Sequence, residues 1–350
     1  PLAGEMWHEH IETAIRKLGY ESMLEWPSMN YRGIGNALVI IVLYVDDLLV
    51  AAKQQSASEA LRELREHIKI GEADPMNKYL GCHHHFAEQD NIHTCQYDMK
   101  DYVRAAAADF TKKTGVIPKR AQTPYAPDLP REQTDELVGR AGSYAEDAAH
   151  YLMRLMFAAR LARPDLSLPI QRLATQITRW TADCDRRLAR IYGYVVAEES
   201  MVLQGSVNPN FRPKIICWPD ADLAGDTTSS RSTSGSWIEI QTGTHCFPVS
   251  WSSKRQTSTS CHTCEAETVS LATCLRQQAI PIQELLARLT GEDIRVHVMG
   301  DNSACISAIN KGYSLAGTLS ELRRSTSASY MKFPAPTTTT WRKPTRRSTR

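Results

Sequence analysis

A run of apolar residues from Ala37 to Ala52 is interrupted at its centre by two adjacent acids. The segment from Leu38 to Tyr44 is rich in β-branched and aromatic residues, and it is short enough for a buried strand. Asp46 and Asp47 follow one residue later, and a second apolar stretch begins directly behind them. The pattern predicts two strands joined by a tight turn that carries Asp46 and Asp47.

These paired acids need a cationic partner, because burying an unpaired charge in apolar surroundings is costly. Mg²⁺ prefers oxygen ligands, and a pair of metal ions can clamp the attacking and leaving oxygens of a phosphoryl group. A membrane span does not explain the run, since its 16 residues fall short of the roughly 20 that a span needs. An ordinary Asp-Asp turn between core strands remains the alternative that spacing alone leaves open.

The hairpin is flanked by segments with helical periodicity, and a proline-marked linker follows them. A further strand begins at Lys78, in the segment Lys78–Cys82. The predicted helices are Glu5–Leu18, Ser56–Ile68 and Gln96–Phe110, the linker is Thr123–Pro127, and Leu168–Val196 is mostly helical.

The pattern changes between Phe211 and Ser253, where apolar segments alternate with turns of Gly, Ser and Thr. This predicts an antiparallel meander. A long helix from Thr263 to Leu289, a buried strand from Ile294 to Met299 and a helix from Asn302 to about Lys311 follow. Three strands, a helix, a strand and a helix form the layout of an RNase H fold.

Acidic residues fall at three separate places in this layout. Asp220 ends the first strand, Glu267 lies early in the long helix, and Asp301 ends the fourth strand. Carboxylates from three elements can converge on Mg²⁺, an arrangement that scattered acids would rarely produce. Asp222 would point the same way as Asp220 in an extended chain, and Glu265 is an alternative to Glu267. We favour Asp220, because it directly follows the apolar strand.

Composition adds few constraints. A chain of 350 residues with 42% hydrophobic and 23% charged residues is long enough for two or three globular domains. The net charge is only +2, but eight Lys or Arg and no acid lie between Arg323 and the C-terminus. This end could contact a polyanion, although such a composition more often indicates disorder.

The nine cysteines, an odd number without disulfide-like spacing, indicate reduced intracellular thiols. Two groups resemble parts of zinc sites: Cys261 with Cys264, and the His83–His85 run with His93 and Cys95 nearby. The first lacks a second CxxC, and spacing fixes no further ligand for the second, so we assign a metal to neither.

The sequences of several segments resemble those of copia-type LTR retrotransposon Pol polyproteins. LYVDDLLVA, which contains Asp46 and Asp47, resembles the palm motif of their reverse transcriptases. WPDADLAGD, RSTSGSW, SWSSKRQTS, EAET and GDNSACISAI, in this order, resemble their RNase H domain. The resemblance covers roughly residues 5 to 312. It also matches Trp7 to a Trp that precedes the catalytic hairpin, although plain core packing is the simpler role for that residue.

The resemblance implies an α/β fold class: an α+β palm and thumb fragment, then an RNase H-like mixed sheet with helices. The expected domains are a partial palm and thumb in 1–122, a mostly helical connection in 123–210, an RNase H-like domain in 211–314, and a basic, disordered tail in 315–350.

The resemblance also implies the chemistry. Asp46 and Asp47 would bind Mg²⁺ for nucleotidyl transfer. Asp220, Glu267 and Asp301 would bind Mg²⁺, with Mn²⁺ as an alternative, to cut RNA in an RNA–DNA hybrid. The acid of related nucleases lies in an Ala-Glu-hydrophobic context, which favours Glu267 over Glu265.

The implied partners are RNA, DNA and the RNA–DNA hybrid, with deoxynucleotides in an intact relative and no membrane. The implied location is intracellular, in the cytoplasm or a virus-like particle, with the nucleus as an alternative. The oligomeric state is left open.

The chain departs from this family at two points. The polymerase needs a further Asp on an earlier palm strand, and the sequence begins too late to contain it. RNase H domains also use a fourth acid on a late helix, whereas only Glu321 follows Asp301. We therefore expect a polyprotein fragment that is incomplete for both activities, and a non-catalytic nucleic-acid-binding remnant is the alternative.

Overall fold

The computed structural model describes residues 2–24, 26–45, 47–126, 129–226, 229–302 and 305–306, and the backbone of 331–332. These residues form three β-sheets, and helices pack against them. This mixture of helices and sheets confirms the predicted α/β class. Each helix in the described ranges is too short or too polar to cross a membrane.

The first sheet contains the predicted hairpin and is antiparallel throughout. Its apolar face packs on two helices, where Ile15, Ile41 and Leu64 are fully buried. The hydrophobic effect of this shared core fixes the sheet between the helices. The helices are α1 (Leu2–Lys17) and α2 (Gln54–His67), and the strands, in pairing order, are β1 (Glu21–Ser22), β2 (Met29–Arg32), β3 (Val39–Tyr44) and β4 (Asp47–Ala51).

The second sheet combines neighbouring strands with one distant strand. Its members, in pairing order, are β5 (Lys78–Tyr79), β6 (Cys82–Gln89), β7 (Ile92–Asp98) and β8 (Leu203–Val207). The predicted helix Gln96–Phe110 is wrong at its start, because Gln96 to Asp98 belong to β7. β7 pairs with β6 on one edge and β8 on the other, and this long-range pairing overrides local helical periodicity.

A helical layer carries the largest core of the described chain. Three aromatic residues lie at its centre: the rings of Phe110 and Tyr192 stack at 4.3 Å, and Tyr151 meets Phe110 edge-on at 5.2 Å. Such pairs add about 0.5–1.5 kcal/mol beyond the burial of their area. The helices of this layer are α3 (Lys100–Thr114), α4 (Arg131–Val138), α5 (Ala148–Leu161), α6 (Ser167–Ala174) and α7 (Ala182–Ala197).

The third sheet begins with the predicted meander, β9 (Lys214–Ala221), β10 (Thr233–Thr242) and β11 (His245–Arg255). β12 (Val296–Val298) then pairs in parallel with β9, so the order of the first four strands is β11-β10-β9-β12, and one further strand follows β12. The predicted long helix is α8 (Thr263–Cys274), which continues through the π-helical segment Leu275–Ala279 into α9 (Ile280–Thr290).

The last strand of this sheet, β13 (Met331–Lys332), lies inside the segment that we expect to be a disordered tail. It pairs in parallel with β12, and residues 307–330 and 333–350 lie outside the described residues. A sheet edge offers free backbone groups for pairing, and two residues can use them without an apolar pattern. The predicted helix Asn302–Lys311 is helical at residues 305–306, and its other positions from 303 onward lie outside the described residues.

Two side chains attach the helical layer to the third sheet. The Trp251 indole N–H in β11 donates to the Ala159 carbonyl in α5 at 2.7 Å. Arg172 in α6 pairs with Asp222, just beyond β9, at 2.7 Å. Through these two contacts, the segment that carries α5 and α6 is attached to β11 and to the chain just beyond β9.

Gly193 in α7 provides a test of this packing, because a Cβ at this position would lie 1.9 Å from the Lys119 carbonyl oxygen. We expect Gly193→Ala to lower the free energy of unfolding by about 2–3 kcal/mol. Gly4→Ala in α1 is the matched control. A Cβ at position 4 would meet no atom within 4 Å, so Gly4→Ala should stabilise the helix by up to about 1 kcal/mol. Urea unfolding followed by circular dichroism measures both, and a Gly193→Ala variant as stable as the parent would contradict the close contact.

Candidate metal centre

Parallel pairing brings the ends of β9 and β12 to one edge of the third sheet. Cys217 pairs with Val298 in this register; Asp220 lies three residues after Cys217, and Asp301 lies three residues after Val298. Both aspartates are exposed. Asp220 is the last residue but one of β9, and Asp301 lies three residues beyond the end of β12.

The helix α8 adds a third carboxylate from above the sheet. Glu267 is partly buried, and it offers an oxygen that lies within 4.8 Å of oxygens from Asp220 and Asp301. Three acids predicted from separate elements are therefore close together in space. In the part of the chain that the structure describes, no other group of three His, Cys, Asp or Glu ligands converges in this way. This includes the histidine and cysteine groups considered for zinc.

The surroundings of Glu267 disfavour its ionised form. Burial raises the pKa of this carboxyl to about 7, and the negative charges of Asp220 and Asp301 act in the same direction. A hydrogen bond from the Ala221 backbone opposes the shift. A divalent cation among the three carboxylates would remove the repulsion, so the electrostatics fit a hard, oxygen-binding metal such as Mg²⁺.

The structure separates Asp222 from this cluster. One carboxylate oxygen pairs with the Arg172 guanidinium at 2.7 Å, and the other accepts the backbone N–H of Thr233. The same arginine also donates to the Gly225 carbonyl. Both oxygens of Asp222 thus have partners outside the acidic cluster, and Asp220 is the aspartate that lies close to Glu267.

Glu265 is likewise engaged elsewhere, at the N-terminus of α8. Its carboxylate accepts the Cys261 backbone N–H at 2.8 Å, and its own N–H donates to His262 Nδ1 at 3.2 Å. This reciprocal pattern caps the helix in the manner of a capping box. The geometry therefore favours Glu267 over Glu265 as a member of the acidic cluster.

The predicted hairpin is present as β3 and β4, but Asp46 lies outside the described residues. Asp47 is the first residue of β4, pairs with Tyr44 across the hairpin and is exposed. Val45 between the strands has φ 57°, which is unusual for a β-branched residue. The Trp7 indole N–H donates to the Val45 carbonyl at 3.1 Å, so Trp7 contacts the turn and is not simply a core residue.

Asp47 is not part of the Asp220 cluster and has a different neighbour. Tyr79 in β5 lies near it: burial raises the pKa of this phenol, and the charges of Asp47 and Tyr44 add to the effect. The Tyr79 hydroxyl is itself buried without a hydrogen-bond partner among the described atoms. The segment from Lys78 to Cys82 therefore adjoins the hairpin.

Sequence reasoning missed the side chains that fix these elements. Arg172 comes from a helix about 50 residues upstream, and Gln256 at the end of β11 donates to Ser234 and to the Ala266 carbonyl, both at 3.0 Å. No local pattern signals either contact.

The pKa of Glu267 can be measured directly. In metal-free protein we expect its carboxyl to titrate near pH 7, and Asp220→Asn should lower this midpoint because it removes one neighbouring negative charge. Glu265→Gln is the matched control and should leave the midpoint unchanged, since that side chain is bound at the helix cap. Carboxyl ¹³C NMR reports each titration. A midpoint near the ordinary 4.5 in the parent protein would contradict the crowded geometry.

Known proteins resemble this chain in sequence. The reverse transcriptase (RNA-dependent DNA polymerase) family matches residues 2–120. The transposon Ty5-1 protein YCL074W of Saccharomyces cerevisiae is 26% identical over 254 residues, which cover 71% of this chain and 77% of that protein. The Pol polyprotein of transposon RE2 from Arabidopsis thaliana is 25% identical over 277 residues, which cover 77% of this chain but only 17% of the polyprotein.

A weaker structural likeness is to a foamy viral protease-reverse transcriptase in complex with double-stranded DNA. It has a TM-score of 0.34 and 14% identity, over 59% of this chain and 34% of that chain, and these values are too low to support a statement about fold. The sequence matches carry the assignment. The chain is similar to the Pol polyproteins of copia-type LTR retrotransposons, and its residues 2–120 match the reverse transcriptase family.

Proposed function

We propose that the third sheet and its helices form an RNase H-like centre that binds a divalent cation and an RNA–DNA hybrid. The observation that carries this proposal is the approach of Asp220, Glu267 and Asp301 to within 4.8 Å. Three elements far apart in sequence each contribute one acid. Like charges gathered at this distance are costly without a cation, so the arrangement is better explained by metal binding than by stability.

The cation would supply charge neutralisation for a water nucleophile and for the scissile phosphate. The protein's own part is to hold three oxygens in place. Asp220 and Asp301 are exposed to an incoming phosphate, whereas Glu267 is partly buried behind them. Mg²⁺ suits these hard ligands, and Mn²⁺ accepts the same set.

The reverse transcriptase segment extends the proposal to residues 2–120. Asp46 and Asp47 on the β3–β4 hairpin would bind Mg²⁺ for nucleotidyl transfer, as the family resemblance implies. Support comes from the exposed position of Asp47 and from the contact between Trp7 and the turn. RNA, DNA and their hybrid would be the partners, held through phosphates and recognised by shape.

The proposed domain plan follows the same division. A palm and thumb fragment would occupy 1–122, a connection 123–210, an RNase H-like domain 211–314 and a basic tail 315–350. The strand β8 of the connection completes the sheet of β5 to β7. The connection would therefore be attached to the palm and thumb fragment as well as to the RNase H-like domain.

Cleavage by this centre would be impaired. Three carboxylates converge among the described residues, whereas two-metal hydrolysis in RNase H domains uses a fourth acid. With three carboxylates, the second metal ion would be held weakly and the rate of cleavage would fall. Binding of the hybrid would persist. The second candidate function, a non-catalytic nucleic-acid-binding remnant, differs only in having no turnover at all.

A hybrid binding and cleavage assay tests the proposal. We expect Mg²⁺-enhanced binding of an RNA–DNA hybrid, together with cleavage that is slow beside an intact copia-type RNase H domain. Asp301→Asn should abolish both the residual cleavage and the enhancement, whereas Glu265→Gln should leave them unchanged. Fluorescence anisotropy and gel analysis of labelled RNA provide the readouts.

Each result has a distinct meaning. Rapid cleavage that Asp301→Asn abolishes would show that three acids suffice and that the proposed impairment is wrong. Mg²⁺-enhanced binding without any cleavage would favour the remnant. Hybrid binding that neither Mg²⁺ nor Asp301→Asn alters would reject the metal centre.

A further inference from the structure

Ser270 in α8 places a hydroxyl against the strand that carries Asp220. The side chain is 1% exposed, and its Oγ donates to the Asp220 carbonyl oxygen at 2.7 Å, with the Gly235 carbonyl oxygen at 3.1 Å. Asp220 and Gly235 are opposite one another in the β9–β10 pair. One buried hydroxyl therefore joins the helix to both strands at the level of the acidic cluster.

This contact is unusual for a hydroxyl inside a helix. Ser and Thr side chains in helices often bond back to a carbonyl one turn earlier, and two neighbours in α8 do so. Thr268 donates to the Cys264 carbonyl at 2.7 Å, and Thr273 to the Val269 carbonyl at 2.8 Å. Ser270 instead donates to a different element, so its hydroxyl fixes the position of the helix on the sheet.

The other end of the same peptide group is held by Glu267. Ser270 binds the carbonyl of Asp220, and the Glu267 carboxylate accepts from the N–H of Ala221, the next residue. Residues three apart share one face of a helix, so α8 holds the peptide between residues 220 and 221 at both ends. We define these two contacts, Ser270 to Asp220 and Ala221 to Glu267, as the peptide clasp.

The clasp opposes a force that the cluster itself creates. Before a cation binds, Glu267 and Asp220 repel one another across the gap between α8 and β9, which favours separation of the two elements. Metal ligands must be held within about 0.5 Å of the productive geometry by surrounding contacts. The hydroxyl of Ser270 carries no charge, so it can hold the helix to the strand without adding to the repulsion.

We propose that Ser270 is a positioning residue for the divalent-metal centre, fixing α8 on β9 so that Glu267 and Asp220 stand ready for the same cation. This inference rests on the proposed metal-binding function of the cluster. Ser270 contacts no metal or phosphate in this role. It acts through the peptide that joins Asp220 to Ala221.

Mn²⁺ binding to the full chain tests the inference without any need for catalysis, with Asp46→Asn and Asp47→Asn present in every variant, the parent included, so that the hairpin acids do not contribute to the binding. The concentration of free Mn²⁺ can be followed by electron paramagnetic resonance, well below the melting temperature of each variant. We expect Ser270→Ala to weaken Mn²⁺ binding about three- to tenfold, the range that one net hydrogen bond allows. Thr273→Ala is the matched control, because its hydroxyl bonds only within the helix, and it should bind Mn²⁺ like the parent.

Two further variants separate the possible failures. Ser270→Cys keeps the shape but donates weakly, so it should also weaken binding, and it carries the test if Ser270→Ala does not fold. Asp220→Asn should weaken binding more than either. If Asp220→Asn is impaired while Ser270→Ala and Ser270→Cys bind Mn²⁺ like Thr273→Ala, the inference is wrong and the metal centre stands. If Asp220→Asn also binds like the parent, the proposed metal centre itself fails.

Discussion

Repulsion among three carboxylates is the constraint that the third sheet has to overcome. Asp220, Glu267 and Asp301 approach within 4.8 Å, and the raised pKa of Glu267 reflects both its burial and its two charged neighbours. Such a cluster does not stabilise the fold by itself. It persists because backbone pairing and a buried helix impose it, which is typical of sites where binding of a cation completes the electrostatics.

The acids are held by two kinds of structure. Parallel pairing of β9 with β12 brings together the chain segments that carry Asp220 and Asp301, and α8 packs on the sheet and carries Glu267. The loop beyond β9 is held by Arg172 of α6. This residue belongs neither to the third sheet nor to α8 and α9, the helices that pack on that sheet. The position of this loop thus depends on α6, which lies outside the third sheet.

Much of this could be predicted from sequence, because strand ends and helix faces are local features. The apolar run before Asp47 correctly predicted β3, and the apolar residues before Asp220 correctly predicted β9. Strand geometry alone could not decide between Asp220 and Asp222, because residues two apart in a strand point to the same face. The contact that engages Asp222 elsewhere comes from the distant Arg172. The start of α3 was also mispredicted, because β7 is held as a strand by partners on both edges, one of them more than 100 residues away.

The most direct test of the account is to locate a cation in the protein. Crystals soaked in Mn²⁺ and measured near the manganese absorption edge would show each bound ion as an anomalous peak. We predict a peak in contact with oxygens of Asp220, Glu267 and Asp301, and its loss in Asp220→Asn. Clear density for the three carboxylates with no peak among them, at Mn²⁺ concentrations that support binding of an RNA–DNA hybrid, would contradict it.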